Sequence, residues 1–472
     1  MTNKLITFKK NDIKQEQRLL STTKAIIYTL PNMGLTALLA ITVFFTLLFY
    51  INIMGQPPLI VGAIYSATIF VYAVFCAIWG VIADKIGKKK VLLFSGPILA
   101  ISFVFIWIPP TPTGLYGEIF LPLLFWLIIF GFTFRIMIAA FQPIFYSLLP
   151  ELSTDEQNRV KISMINMIMM IIGTVIGTIG PIILMGDATK NLSRENPKLY
   201  YPISEIGRII HTQIIFFASL MSLMFCICFV LMLLIIKEPP KQRDMNFSFA
   251  QIWKDLADPF KDKNYRWFLL TFYLFWIPFV AFQYLVLNLA TFVISIRGNE
   301  FLLMAIVVII FAALSFIGWK KLSEKYGLKE TLSICLIISI FSFMLVSLLL
   351  LPMKNEMILI LGILLISLCF CSLVGTMVFP FAIMSNLIDN AEIKAKKILS
   401  GSYSGAFIMM GSLAAASSLL VISVNLEIFG PENSLGYIII LSLIGTILLI
   451  VALIVFQKVQ IIGRENLEKK SK

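Results

Sequence analysis

Residues 59–83 read LIVGAIYSATIFVYAVFCAIWGVIA, residues 84–90 read DKIGKKK, and residues 91–108 read VLLFSGPILAISFVFIWI. Two uncharged runs are thus joined by a short connector that holds five charges and a glycine. Each run is close to the roughly 20 residues with which a helix crosses a hydrocarbon core about 30 Å thick. The stretch reads as a membrane-spanning hairpin, and the same alternation continues in both directions. Further apolar runs cover Tyr28 to Ile51, Ile119 to Leu149, Ile162 to Met185 and Ile209 to Ile236. A second set covers Trp267 to Ile294, Phe301 to Trp319, Leu332 to Leu351, Ile358 to Ile388, Ser402 to Val424 and Leu435 to Phe456. With 59% apolar and 13% charged residues among 472, no single soluble core could take up this much apolar surface. The sequence predicts an all-α membrane protein of twelve transmembrane helices.

Lys and Arg placement sets the orientation, because short loops rich in them stay on the cytoplasmic side. With the N-terminus inside, 31 of the 38 basic residues fall on inner segments, 6 on outer loops and one within a span. Both termini are therefore expected in the cytoplasm, and the cell membrane is the expected location. The net charge of +13 follows from insertion and from contact with anionic lipid at the cytoplasmic face. It is not a nucleic-acid footprint, since no basic cluster outside the spans carries base-stacking aromatics. All six cysteines (Cys76, Cys226, Cys228, Cys335, Cys369, Cys371) lie inside spans, as small packing groups rather than disulfide or zinc ligands. No metal and no cofactor is expected. Residues 1–27 are basic and lack a cleavable signal pattern, which suits a segment at the lipid surface.

The longest inner connector, residues 237–266, opens with Glu238-Pro239-Pro240 and then places Phe247, Phe249, Ile252, Trp253 and Leu256 among charges. It is expected to hold an amphipathic helix. It separates a half at residues 28–236 from a half at 267–456, with a tail at 457–472. Asp84-Lys85-Ile86-Gly87 after the second span is echoed by Glu324-Lys325-Tyr326-Gly327 after the eighth, which fits two related halves meeting at a midplane cavity. Asn191-Leu192-Ser193 forms a glycosylation sequon in the largest outer loop. Gly173, Gly177 and Gly180 line one stripe of the fifth span, where small residues let helices approach closely.

Gly80-Val-Ile-Ala-Asp84-Lys-Ile-Gly87-Lys-Lys-Lys90 resembles the signature between the second and third spans of the major facilitator superfamily. That resemblance implies a gate in which Asp84, Gly87 and Lys88, with Glu324 in the second half, form latches that hold in one conformation. Four further stretches resemble the glycoside-pentoside-hexuronide:cation symporters, a branch that moves sugars with sodium or protons and includes lysolipid carriers. They are Tyr28-Thr-Leu-Pro-Asn32-Met-Gly34, Phe49-Tyr50-Ile-Asn, Pro143-Ile-Phe-Tyr146-Ser-Leu-Leu-Pro150-Glu151-Leu and Ile383-Met-Ser-Asn386-Leu-Ile-Asp389-Asn. The departures from that branch are specific. Cys76 and Tyr72 stand where the branch has cation-binding Asp residues, and Met410 where it has a Lys. Gln142 replaces a substrate Asp, Thr36 an acid, Asn166 an Arg, and Asn386 the first Asp of the tenth-span motif.

A census agrees without the resemblance: all 25 Asp and Glu lie in loops, termini or within about a turn or two of a span end. The one full charge deep in a span is Arg135, about 15 residues or roughly 22 Å from the outer end of its helix. Such an Arg is expensive unless it meets water, a partner or a ligand. Gln142 and Tyr146 share its helical face. Asn32, Thr36, Asn166, Gln283, Tyr284, Asn288, Ser385 and Asn386 are polar candidates for the same cavity. The expectation is a monomeric, sodium-independent carrier of a small organic solute, sugar-related or anionic to zwitterionic, with Arg135 and Gln142 at its centre. A lysolipid-like substrate and a non-transporting sensor are the alternatives. A membrane enzyme is disfavoured, because the single His211 has no deep carboxylate to act with.

Overall fold

The computed structural model describes residues 21–148, 156–190, 199–201, 203–235, 258–395 and 400–460. Among them are twelve helices long and apolar enough to cross a membrane. In the first half these are α1 (Thr22–Leu47), α2 (Pro58–Ile86), α3 (Lys88–Ile106), α4 (Leu121–Ser147), α5 (Glu156–Thr189) and α6 (Glu205–Ile235). In the second they are α7 (Lys263–Asn288), α8 (Glu300–Tyr326), α9 (Leu328–Leu345), α10 (Asn355–Ala395), α11 (Ser400–Phe429) and α12 (Ser434–Ile438 and Thr446–Phe456). Wider π turns extend α1 through Leu48–Ile53 and α7 through Leu289–Val293, and Ile439–Gly445 forms another inside α12.

Several helices begin or end outside their apolar runs, because caps rather than hydropathy set the ends. α1 starts at Thr22, before the expected Tyr28, with the Ser21 hydroxyl accepting from the Lys24 amide at 3.4 Å. α7 starts at Lys263, inside the expected connector. There the Asp262 carboxylate accepts from the amides of Asn264 at 2.8 Å and Tyr265 at 3.2 Å. α10 runs on to Ala395, beyond the expected Ile388. The expected amphipathic helix at Phe247 to Leu256 and the sequon at Asn191 lie outside the described residues.

The halves are built alike. α1 packs on α5 and α6 as α7 packs on α11 and α12, and α4 takes α2 and α3 as α10 takes α8 and α9. The repeat extends to single residues 240 apart. Met54 and Gln56 amides donate to the carbonyls of Phe49 and Tyr50, and Ile294 and Ile296 amides donate to those of Leu289 and Ala290. Gly55 (φ 64°) is matched by Ser295 (φ 59°), and Gly87 (φ 103°) by Gly327 (φ 85°). The last two turn α2 into α3 and α8 into α9, in a backbone region that glycine enters without steric cost. Between halves, α2 packs on α11, α5 on α8 and α1 on α7.

The glycine stripe of α5 sets its approach to α1. A Cβ on Gly177 would lie 2.3 Å from the Ala37 carbonyl oxygen, and one on Gly173 would lie 2.0 Å from that of Met33. Gly177→Val is expected to destabilise the first half by about 1–3 kcal/mol through overpacking. Gly318→Ala, whose Cβ would meet nothing within 4 Å, should be neutral. Thermal unfolding of the two variants in detergent checks the contrast.

Candidate functional site

The site is organised along one face of α4. Arg135 is only 8% exposed, and its Nη2 donates to the Tyr65 hydroxyl of α2 at 3.0 Å. The guanidinium carbon also lies 5.3 Å from the centroid of the Tyr65 ring, a cation–π contact. Tyr284, from α7 of the other half, closes the cluster edge-on to Tyr65 with ring centroids 6.1 Å apart. Among the described residues no carboxylate pairs with Arg135, and its Nε has no hydrogen-bond partner. A buried, charged donor is thus held by neutral groups and left with unused capacity.

Two turns further along, the Gln142 Oε1 accepts from the Tyr72 hydroxyl at 2.9 Å. Beyond it, the Asn32 amide nitrogen donates to the Tyr146 hydroxyl at 3.1 Å and to the Asn166 Oδ1 at 2.9 Å, joining α1, α4 and α5. The Asn32 Oδ1 is buried without a partner. A cavity of about 110 Å³ opens beside this group, lined by Tyr28, Phe145, Tyr146, Ile162, Ser163 and Asn166. Exposure rises along the stripe from Arg135 through half-buried Gln142 to 39% at Tyr146. The polar face is therefore reached from the end of the bundle where α1 starts and α12 finishes.

The opposite, distal end is closed by polar contacts between halves. The Asn288 amide of α7 donates to Asn52 Oδ1 at 2.9 Å and to the Tyr437 hydroxyl at 3.2 Å. Asn52 in turn donates to the Pro431 carbonyl at 3.1 Å, and Tyr437 donates to that same carbonyl. Beside them, Glu427 of α11 accepts from the Leu59 amide at 3.1 Å. It thereby caps the first turn of α2 from across the interface.

The structure thus divides the expected residues among different tasks. Tyr284 joins Arg135, Gln142 joins Tyr72, and Asn32 joins Asn166. Thr36 is committed to helix packing, its hydroxyl donating to the carbonyls of Asn32 at 2.9 Å and Met170 at 3.1 Å. Gln283 is half-buried, Ser385 is exposed, and Asn386 accepts from Asn390 at 3.0 Å within α10. Asn288 belongs to the distal closure instead of the cavity. Of the gate residues, Lys88 donates to the Ser147 carbonyl at 3.1 Å and so ties the start of α3 to the end of α4. Gly87 makes the turn between α2 and α3, Glu324 is exposed, and the Asp84 side chain lies outside the described residues. Sequence reasoning missed Tyr65, Asn52 and Tyr437. Tyr65 carried one usable signal, a phenol inside an apolar run, but its partner depends on how α2 crosses α4.

Two six-helix halves related by an internal repeat, with the Arg135, Tyr65 and Tyr284 cluster where they meet, fit the plan of a membrane transporter. The chain belongs to the MFS/sugar transport protein family, which it matches over residues 27–461. It therefore has the major facilitator fold and is a transporter, not an enzyme. The fold is similar to that of the nucleoside transporter NupG, with a TM-score of 0.64 and 15% identity, covering 93% of this chain and 99% of that one. It is similar to the xylose transporter XylE from E. coli in its inward open conformation, with a TM-score of 0.63, 12% identity and coverages of 94% and 97%. A POT family transporter in complex with 5-aminolevulinic acid gives a TM-score of 0.62 at 14% identity, with coverages of 93% and 96%. No curated protein sequence matches the chain.

Proposed function

We propose that this protein carries a small organic solute bearing a carboxylate or phosphate, and that Arg135 binds the anionic group. One observation carries the reading: a guanidinium 8% exposed, with an unpartnered Nε and no carboxylate beside it among the described residues. A planar fork of donors suits an oxyanion better than a neutral hydroxyl. Gln142, Tyr72, Asn32 and Asn166 then supply neutral hydrogen-bonding groups for the rest of the solute. By the distribution of basic residues, the termini face the cytoplasm and the Asn52, Asn288 and Tyr437 closure faces outward. That arrangement makes the conformation one loaded from the cytoplasmic side. Thermal unfolding of the purified protein against matched pairs of solutes, D-glucuronate with D-glucose and glucose 6-phosphate with glucose among them, tests the proposal. The stabilising member of any pair should be the anion, and its effect should vanish in Arg135→Met. Stabilisation by a neutral solute that survives Arg135→Met would sink it.

The carrier is further proposed to work without sodium. Tyr72 spends its hydroxyl on Gln142, Cys76 offers a thiol and Met410 a thioether. A hard cation wants several oxygens. Replacing sodium chloride by choline chloride at equal ionic strength should leave both unfolding temperature and anion binding unchanged. A sodium-dependent rise in either would show that oxygen ligands assemble somewhere in the cavity.

A further inference from the structure

We infer that this protein is an obligatory exchanger of organic anions, because the uncompensated charge of Arg135 holds its empty form facing one side. The inference rests on the reading that Arg135 binds the solute's anionic group, and adds to it what the empty carrier does.

Alternating access takes the molecule through a form sealed at both ends. In the present conformation polar contacts already shut the distal end, and exposure along the α4 stripe rises toward the other end. Closing that end as well strips Arg135 of the remaining solvent. What it keeps is neutral: one hydroxyl and one ring face of Tyr65, with Tyr284 behind them. Its Nε still has no acceptor.

Among the described residues no acid is placed to compensate. Every Asp and Glu in the sequence lies in a loop, a terminus or within about a turn or two of a span end, and among the described residues no carboxylate acts on Arg135. A symporter escapes the same difficulty with a group that binds a proton or a cation once the site has emptied. Here the corresponding positions hold Tyr72, Cys76 and Met410, none of which offers a negative charge to the guanidinium at neutral pH.

An anion changes this balance at one stroke. It brings the opposite charge into the sealed space and gives Nε the acceptor it lacks, so the sealed form is favoured selectively when loaded. Tyr284 comes from the second half, so the cluster around the anion is completed only while the halves meet distally. The loaded carrier therefore turns over readily. The empty one waits until another anion enters from the side it faces, and net flow without a counter-anion is slow.

The test needs no known substrate. A donor–acceptor dye pair at Leu115→Cys and Ile428→Cys, 69% and 70% exposed on opposite halves at the distal end, reports its opening in single molecules, in a background without the six native cysteines. In liposomes and Tris-chloride buffer with no organic anion or phosphate, the otherwise unaltered carrier is expected to switch rarely between its distally closed and open forms. Arg135→Met, which removes the charge, should switch at least tenfold more often. Equal switching rates in both proteins would overturn the inference. The flux test follows with the first anion found to stabilise the protein. Its efflux from proteoliposomes should be at least tenfold faster into medium holding the same anion than into anion-free medium, and equal rates would overturn exchange. Either failure leaves anion binding at Arg135 standing. Loss of that reading shows separately, as solute binding that Arg135→Met does not alter.

Discussion

Arg135→Met is expected to unfold at a temperature no lower than the parent and to lose both binding and transport of the anionic solute. The two halves of that expectation come from the same geometry. Methionine fills much of the guanidinium's volume without a charge to desolvate, and the hydrogen bond it surrenders to the Tyr65 hydroxyl has a neutral partner. The solute, in contrast, loses a forked pair of charge-assisted hydrogen bonds, each worth about 1.5–3 kcal/mol. That corresponds to a loss of roughly two to four powers of ten in affinity, on the scale of about 1.4 kcal/mol per tenfold. Arg135→Lys keeps the charge and loses the fork, so it should fall between the two. Tyr65→Phe should cost less than either, since it removes a neutral partner of the guanidinium and keeps the ring beneath it. Isothermal titration with the anion that stabilises the parent gives the order directly. An Arg135→Met protein that unfolds on purification would instead make the residue a structural brace.

The fold was legible because its information is one-dimensional. Apolar runs such as residues 59–83 and 91–108 need only length and charge to be read as spans, and the bilayer fixes both. The echo of Asp84 to Gly87 in Glu324 to Gly327 marked a true repeat, which the structure carries through the Gly55 and Ser295 turns. The site was legible only in part. Arg135 stood out by depth alone, with Gln142 on its face, and Gln142 does share that stripe with Tyr72 as its partner. Thr36 and Asn288 carried the same polar signal as Asn32, yet one holds α1 to α5 and the other holds the halves together. A polar residue in a span announces that it needs a partner. Which partner it finds depends on helix crossings and on the wider turn at Leu48–Ile53, which a 3.6-residue period does not foresee.

Asn288→Leu is expected to shift the resting carrier toward a form open at the distal end. The substitution nearly conserves volume and removes two donors at once, those to Asn52 Oδ1 at 2.9 Å and to the Tyr437 hydroxyl at 3.2 Å. Both acceptors are buried where the halves meet, and Asn52 also reaches across to the Pro431 carbonyl at 3.1 Å. A buried polar group left unpaired costs about 1–3 kcal/mol, whereas in the open form water satisfies it. The penalty thus falls on the closed form alone, and the ratio of open to closed should rise about 5- to 150-fold. Glu427→Gln should act in the same direction but less, because its contact with the Leu59 amide is exposed and an amide oxygen still accepts from the first turn of α2. Distances between labels at Leu115→Cys and Ile428→Cys would follow both changes. With the charge of Arg135 still in place, Asn288→Leu should switch between the two forms more often when the anion is added, since the anion removes the second obstacle to turnover. If Asn288→Leu leaves the distances as they are, apolar contacts between α1 and α7 hold the distal end, and the three-way hydrogen bond only fixes their register.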